Sequence, residues 1–154
     1  LVTGVAGVVK AVAETMSSWQ LYVDNLLKNN DVEDAAILCN QTGNVWAAAQ
    51  NGFLKNVQPS DTKDIRGKDH ACLFSNGVTL GGEKCTVLRD GLESEEATMD
   101  LRTKTNITYS ETRNVCISKT RQTLIIAVAK KDVHGGRVNT AVFNIGKYLK
   151  DNNY

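Results

Sequence analysis

The side chains that most often carry catalysis are few in this chain and widely separated. Its four cysteines are Cys39, Cys72, Cys85 and Cys116, and its two histidines are His70 and His134. None of the cysteines has the close cysteine neighbour that is typical of zinc and redox sites. The pattern therefore indicates no metal site and no Cys–His dyad. We expect four free thiols, mostly buried, in a reducing compartment.

A glycine-rich segment from Gly77 to Gly82 resembles the start of a phosphate-binding loop. That motif requires a lysine where this chain has Glu83, and a carboxylate there would repel phosphate. The Gly-x-Ser-x-Gly pattern of serine hydrolases does not occur in the sequence. We therefore interpret the segment as a glycine-rich β-turn, and we predict a protein that is not an enzyme and uses no cofactor.

Aromatic residues are scarce, at 6% of the chain, yet several lie near its two ends. These residues are Trp19, Tyr22, Tyr148 and Tyr154. If helices at the two termini are neighbours, the rings would form one exposed shelf of the kind on which proline-rich peptides stack. The alternative is that each ring is part of a half-buried core, and the residues alone favour that alternative.

Basic residues recur through the predicted strand region although the net charge is only +1. The series is Lys84, Arg89, Arg102, Lys104, Arg113 and Lys119. A shared sheet face carrying Arg89 and Arg102 would suit an acidic protein surface or a phosphoinositide head group. An ordinary solvated sheet face is the alternative interpretation. The small net charge argues against general binding of nucleic acid.

Apolar periodicity and turn residues predict two terminal helices around a series of short strands. The helices are expected at residues 17–29 and 137–150, and the strands at 35–40, 45–50, 71–75, 78–80, 83–89, 98–104, 113–119 and 123–129. A helix, then many antiparallel strands, then a helix indicates an α+β fold with one central sheet. Residues 60–65, after the only proline, are expected to hold one or two helical turns.

The chain is expected to hold one domain from residue 16 to residue 154. Residues 1–15 are small and mostly apolar, and Met16 follows them. We interpret them as an upstream extension or a cloning remnant. We also hypothesise that this extension partly covers the aromatic shelf, so that deleting it would strengthen peptide binding.

Six segments, in order along the chain, resemble the profilin family. They are 18–26 (SWQLYVDNL), 34–37 with 45–48, 76–85 (NGVTLGGEKC), 87–90, 98–104 (TMDLRTK) and 133–136 with Asn139. Together they span residues 17–154. The resemblance implies a central antiparallel sheet with the N- and C-terminal helices side by side on one face.

The resemblance also implies a site for proline-rich peptides between those helices. Its residues would be Trp19, Tyr22, Trp46, Tyr148, Leu149 and Tyr154. Tyr148 stands where vertebrate members often have histidine. An aromatic ring still stacks there, so we expect binding to persist with altered affinity.

A second implied site is a face for monomeric actin. Its residues would be Lys84, Thr86, Arg89, Arg102, Lys104, His134, Gly136, Asn139 and Phe143. The resemblance implies that Arg89 and Arg102 pair with acidic side chains of actin, and that Phe143 supplies an apolar contact where tyrosine is common in the family.

Phosphoinositides are the third ligand class that the resemblance implies. Their residues would be Lys84, Arg89, Arg102 and Lys104, with Arg137, Lys147 and Lys150 near the last helix. The expected protein is a cytoplasmic, cytoskeleton-associated monomer that delivers actin to proline-rich partners such as formins. A generic α+β scaffold domain without actin binding remains the alternative, and a small hydrolase or transferase is a weaker one.

Overall fold

The computed structural model describes residues 16–105 and 111–154, so the predictions for residues 1–15 lie outside the described residues. Its centre is a seven-stranded sheet in which every neighbouring pair is antiparallel. The strands are β1 (Val32–Cys39), β2 (Val45–Ala48), β3 (Val78–Leu80), β4 (Glu83–Gly91), β5 (Thr98–Thr103), β6 (Asn114–Lys119) and β7 (Thr123–Ala129). Their order across the sheet is β2-β1-β7-β6-β5-β4-β3.

The pattern of burial along each strand reflects its place in the sheet. All seven residues of β7 are buried, because the strand lies centrally and both of its faces are covered. In β4, by contrast, Cys85 and Val87 are buried while Lys84 and Thr86 are exposed. One face of β4 therefore packs on the core, and the other remains available for contacts.

The two terminal helices cover one face of the sheet, as predicted. A 3₁₀ turn (Met16–Trp19) leads into α1 (Gln20–Leu27), and the chain closes with a long helix (Gly135–Asp151). On that last helix, Val138, Val142 and Leu149 are fully buried. They share one apolar cluster with Tyr22, Val23 and Leu26 of α1. This common core fixes the two helices on the same side of the sheet.

Short helical segments cover the opposite face. They are 3₁₀ turns at Leu54–Asn56 and Pro59–Thr62, followed by α2 (Lys63–Arg66) and α3 (Leu73–Asn76). The last helix is accordingly named α4. Leu54, Ile65 and Leu73 bury their side chains in a second apolar cluster on this face. The helical turns predicted for residues 60–65 are thus confirmed.

The strand predicted at residues 71–75 is wrong. The segment forms α3 instead, with Asn76 N–H bonded to the Cys72 carbonyl and Gly77 N–H bonded to the Leu73 carbonyl. Only Leu73 of this short helix is buried, which does not fit a strand with one core face. Gly77 ends the helix at a φ of +69°, a conformation that glycine adopts without strain.

The glycine-rich segment forms the predicted turn. Leu80 pairs with Glu83, so Gly81 and Gly82 alone connect β3 to β4. Both have positive φ, +57° and +90°, as the favoured two-residue hairpin turn requires.

All four cysteines are free thiols, and three of them are buried, whereas Cys72 is exposed. Within the described ranges, no helix is long and apolar enough to span a membrane.

Candidate functional site

A basic face forms where β4 and β5 lie side by side. Thr86 lies opposite Arg102, and Arg89 lies opposite Asp100. The register shifts between Val87 and Arg89, so one residue of β4 is bulged. A bulge inserts one residue and reverses the side to which the following side chains point. Arg89 therefore lies on the same exposed face as Thr86, although the two are an odd number of residues apart.

The basic face is defined here as Lys84, Thr86, Arg89, Arg102 and Lys104. All five residues are exposed. Lys104 N–H donates to the Lys84 carbonyl at 2.8 Å, which places the two lysines next to each other. Among the described residues, neither lysine forms an ion pair, and Arg102 bonds only the neutral amide of Asn114, at 3.2 Å. The face thus carries positive charge that is not neutralised within the described structure.

Asp100 connects the basic face to α4. Arg89 Nε donates to its Oδ2 at 2.7 Å, and Asn139 Nδ2 donates to its Oδ1 at 2.7 Å. The thiol of Cys116 donates to the same Oδ1 at 3.3 Å. Burial alone would raise the pKa of Asp100, but these hydrogen bonds and the charge of Arg89 outweigh it and hold the pKa below its usual value. The carboxylate is therefore ionised and holds Arg89 in place.

A shallow depression of about 220 Å³ lies between the basic face and the start of α4. Arg89 and Arg102 line one side of it, and His134 and Gly136 line the other. His134 is exposed, and its Nδ1 accepts a hydrogen bond from Gly136 N–H at 3.0 Å, which caps the helix. Phe143, two turns further along α4, is partly buried. The residues predicted for the actin face on β4 and β5 therefore adjoin His134, Gly136 and Asn139 in the first turns of α4.

Leu88 is part of this surface and was missed as a site residue by sequence reasoning. Its side chain is 49% exposed and lines the depression beside Arg89. The sequence held only a partial signal: an apolar residue directly after Val87 breaks the alternation of β4, but this break does not show which side chain faces outwards. An exposed leucine among arginines gives this face an apolar contact as well as charge.

Two residues of the predicted basic series lie apart from this face. Arg113 is held by Glu33, with 3.2 Å between Nε and Oε2. Lys119 contacts Glu93, with 3.5 Å between Nζ and Oε1. Both side chains are mostly buried and have acidic partners, so we interpret these two contacts as structural ion pairs.

The aromatic residues from the two chain ends come together, as predicted. This aromatic cluster consists of Trp19, Tyr22, Trp46, Tyr148 and Tyr154. Trp19 is its centre: it stacks on Trp46 with ring centroids 5.2 Å apart, and Tyr154 meets it edge-on at 6.3 Å. The ring of Tyr22 lies 5.7 Å from that of Trp19. Edge-on and offset arrangements of this kind are the favoured ones.

The cluster is less open than the predicted shelf. Trp19 and Tyr22 are only 3% and 4% exposed, whereas Trp46, Tyr148 and Tyr154 are partly exposed. Burial, and then the neighbouring Tyr148 and Tyr154, raise the pKa of Tyr22. Leu149 is fully buried below the cluster and supports it from within the core. A ligand would therefore meet the three partly exposed rings first.

The residues predicted near the last helix for phosphoinositides do not form one compact patch. Arg137 lies in the first turn of α4 and pairs with Asp31 at 2.9 Å. Lys147 and Lys150 lie near the other end, about 15 Å along the helix axis at 1.5 Å per residue. Lys147 pairs with Asp151 at 2.9 Å. Among these three, only Lys150 has no carboxylate partner within the described residues.

Comparison with known proteins places this architecture in a known family. The family model described as Profilin matches residues 17–154. Profilin-1 of Bos taurus is 38% identical over 141 residues, which cover 90% of this chain and all of the bovine protein. Rat profilin 2a has a TM-score of 0.84 at 38% identity and covers 91% of this chain and 99% of its own. Mouse profilin IIa in complex with a double repeat from the FH1 domain of mDia1 has a TM-score of 0.83 at 38% identity, covering 88% and 99%.

Proposed function

We propose a two-ligand binding role for this chain, which belongs to the profilin family: monomeric actin on the basic face and proline-rich peptides on the aromatic cluster. In this role the protein regulates actin polymerisation and nucleotide exchange on actin. It acts by shifting the populations of a partner's states and makes or breaks no bond itself. We therefore propose that it is not an enzyme, and that it works in the cytoplasm in association with the cytoskeleton.

The observation that carries the proposal is the presence of two separate surfaces along α4, the basic face near its start and the aromatic cluster near its end. The mouse relative at 38% identity was solved with an FH1 repeat, which supports a proline-rich ligand for this family member. In this chain, the partly exposed rings of Trp46, Tyr148 and Tyr154 offer flat stacking surfaces. A preformed polyproline II helix stacks on such surfaces at low entropic cost.

The basic face supports the actin half of the proposal. It combines three cations that have no carboxylate partner in the described structure with an exposed Leu88. Charge of one sign around an apolar contact suits an acidic protein surface, because the charges steer association and the apolar group adds affinity. Arg89 is the residue we expect to matter most, because Asp100 holds it in one orientation.

Phosphoinositides are the third ligand class in the proposal. Lys84, Arg89, Arg102 and Lys104 would serve both ligands, so lipid and actin should compete. Competition between phosphoinositide vesicles and actin in a sedimentation assay tests this overlap.

A charge reversal at Arg89 tests the main proposal. Arg89→Glu should abolish binding of monomeric actin and leave binding of a proline decamer unchanged, as followed by intrinsic tryptophan fluorescence. Both tryptophans, Trp19 and Trp46, lie in the aromatic cluster, so this probe reports on the peptide site directly. Lys63→Glu is the matched control, because Lys63 is exposed on α2 outside the basic face.

Unchanged actin affinity in Arg89→Glu would contradict the assigned face. Absence of actin binding in the unmodified chain would favour a scaffold domain without that function.

A further inference from the structure

A second concentration of positive charge lies away from the basic face, in a cleft of about 400 Å³. This basic cleft is lined by five cationic side chains, those of Arg66, Lys68, Lys119, Arg121 and Lys150. Glu93 is its only acidic lining residue. Such an excess is notable in a chain whose net charge is +1.

Most of these cations have no carboxylate partner within the described residues. Arg66 donates to Thr62 Oγ1 and to the carbonyls of Gln41 and Pro59, which are all neutral acceptors. Lys119 alone contacts Glu93. The positive charge of the cleft is therefore left for a partner to neutralise.

Two of the cleft residues are also partly removed from solvent. The side chain of Lys119 is 16% exposed, and Arg66 is partly buried, whereas Lys150 is exposed. Partial burial makes an anion in this space interact more strongly than it would at a fully solvated surface. The three hydrogen bonds of Arg66 also fix its guanidinium, so little conformational entropy is lost when an anion binds there.

The cleft is continuous with the aromatic cluster through the end of the chain. Arg121 donates to the Asn153 carbonyl at 3.0 Å, and Gln122 N–H donates to the Tyr154 carbonyl at 3.0 Å. Tyr154 packs edge-on against Trp19 in the aromatic cluster. Lys150 lines the cleft one residue after Leu149, whose side chain lies beneath the cluster. A peptide that leaves the exposed rings past Tyr154 therefore passes directly over the cations.

We propose that the basic cleft binds a carboxylate-rich segment that flanks the proline-rich sequence on the aromatic cluster. The inference rests on the proposed peptide-binding function and adds a specificity to it: acidic flanks are selected. Continuity with the aromatic cluster favours a peptide over a membrane head group, because one extended chain contacts both sites and the second contact becomes intramolecular.

The test compares a proline decamer with the same decamer joined to four glutamates at either end, with four glutamines in the control peptides. At low salt, the glutamate peptide of one orientation should bind about tenfold more tightly than its glutamine control, since several partly exposed ion pairs each add a modest gain in affinity. The gain should shrink strongly in 0.5 M salt, where the Debye length is about 4 Å and ion pairs that are open to solvent are screened.

The double variant Lys68→Gln/Lys150→Gln should lose most of this gain and keep the affinity for the plain decamer. Lys28→Gln/Lys130→Gln is the matched control, since it removes the same charge from exposed positions outside the cleft. It should retain the gain.

Three results would overturn the inference. Equal affinity for the glutamate and glutamine peptides in both orientations would remove the acidic-flank specificity and leave the proline site intact. No binding of any peptide, the plain decamer included, would remove the peptide function and this inference with it. Loss of binding to phosphoinositide vesicles in Lys68→Gln/Lys150→Gln, without loss of the peptide gain, would assign the cleft to a lipid head group.

Discussion

Asn139 of α4 and Asp100 of β5 are joined by a hydrogen bond of 2.7 Å, and this contact ties the C-terminal helix to the basic face. The other carboxylate oxygen of Asp100 holds Arg89 at 2.7 Å. The orientation of Arg89, the principal arginine of the basic face, thus depends on Asn139, which belongs to a different element and lies about 50 residues later in the chain.

Asn139→Ala should weaken actin binding about fivefold, the equivalent of the roughly 1 kcal/mol that one hydrogen bond contributes. The reason is that Asp100 loses one of the donors that hold it, and Arg89 becomes less restricted. Titration of labelled monomeric actin measures the effect. Asn144→Ala is the control, because Asn144 is exposed on the same helix and should have no effect. Equal affinities for the two variants would show that the Asn139–Asp100 contact does not position Arg89.

Tyr154→Ala should weaken binding of a proline decamer by about tenfold, because one stacked or edge-on aromatic contact contributes about 0.5–1.5 kcal/mol beyond its buried area. Tyr154 is a better choice than Trp19. Trp19 is 3% exposed, and its truncation would leave a cavity costing about 3–5 kcal/mol of stability.

Phe74→Ala is the control for that experiment. Phe74 is 57% exposed and lies on α3, on the opposite side of the sheet. A decamer affinity that is the same in Tyr154→Ala and Phe74→Ala would exclude Tyr154 from the peptide site.

The environment of His70 predicts that the stability of the fold depends on pH. Its Nδ1 lies 2.6 Å from Asp90 Oδ2, and its Nε2 lies 2.8 Å from the Gly67 carbonyl, so both ring nitrogens face acceptors. Glu93 Oε1 lies 4.0 Å from Nε2, and Lys119 contacts that same carboxylate. Burial alone would lower the pKa of His70, but the bonds to Asp90 and to the carbonyls outweigh it and raise the pKa above 6.5.

The doubly protonated ring is therefore the form that stabilises the fold. Its contribution is fully present below pH 6.5 and is lost as the pH rises through the higher pKa of the folded state. Urea unfolding at pH 6 and at pH 8.5 should show a larger stability difference in the unmodified chain than in His70→Gln. The same stability difference between the two pH values in both proteins would contradict this role for the His70–Asp90 pair. His134→Gln is the control, because that ring is exposed.

The surroundings of Gly52 leave no room for a side chain at this position. A Cβ at this position would lie 1.9 Å from the carboxyl of Asp34. Asp34 is 1% exposed and accepts a hydrogen bond from Leu54 N–H at 3.0 Å, so it cannot move aside freely. Gly52→Ala should lower the free energy of unfolding by about 1–3 kcal/mol, the usual cost of overpacking.

Gly67→Ala is the matched control, since the nearest atom to a Cβ there lies at 3.5 Å. It should change stability by less than about 0.5 kcal/mol. Thermal unfolding measures the melting temperatures of the two variants. Equal melting temperatures would show that the loop around Gly52 accommodates the added methyl group without loss of stability.

The sequence was most informative where one physical effect dominates. The strand at residues 123–129 was predicted with its observed bounds, because seven consecutive apolar or small residues between turns fit a central strand. The strand predicted at 71–75 was wrong, because a five-residue run has no reliable period and the positive φ of Gly77 decided the structure.

The two sites differ in what the sequence could predict about them. The resemblance implied a residue set for each site, and the structure brings the basic residues of β4 and β5 together on one face and the aromatic residues together in one cluster. The bulge at Leu88 was not predictable, because register depends on the partner strand, and without it Arg89 would point towards the core. For Trp19, the residues alone favoured a half-buried core position, but its nearly complete burial was not predictable, because it depends on rings from β2 and from the end of the chain.

Helix α4 sets a fixed spacing between the two proposed partners. Asn139 contacts the basic face and Tyr148 lies in the aromatic cluster, so their Cα atoms are separated by about 14 Å along one rigid helix at 1.5 Å per residue. The helix therefore fixes the distance between the two binding sites. A partner with several proline-rich repeats would hold each bound actin at the same distance from the repeat that binds it. Only the number of linker residues between repeats would then set the distance from one actin monomer to the next.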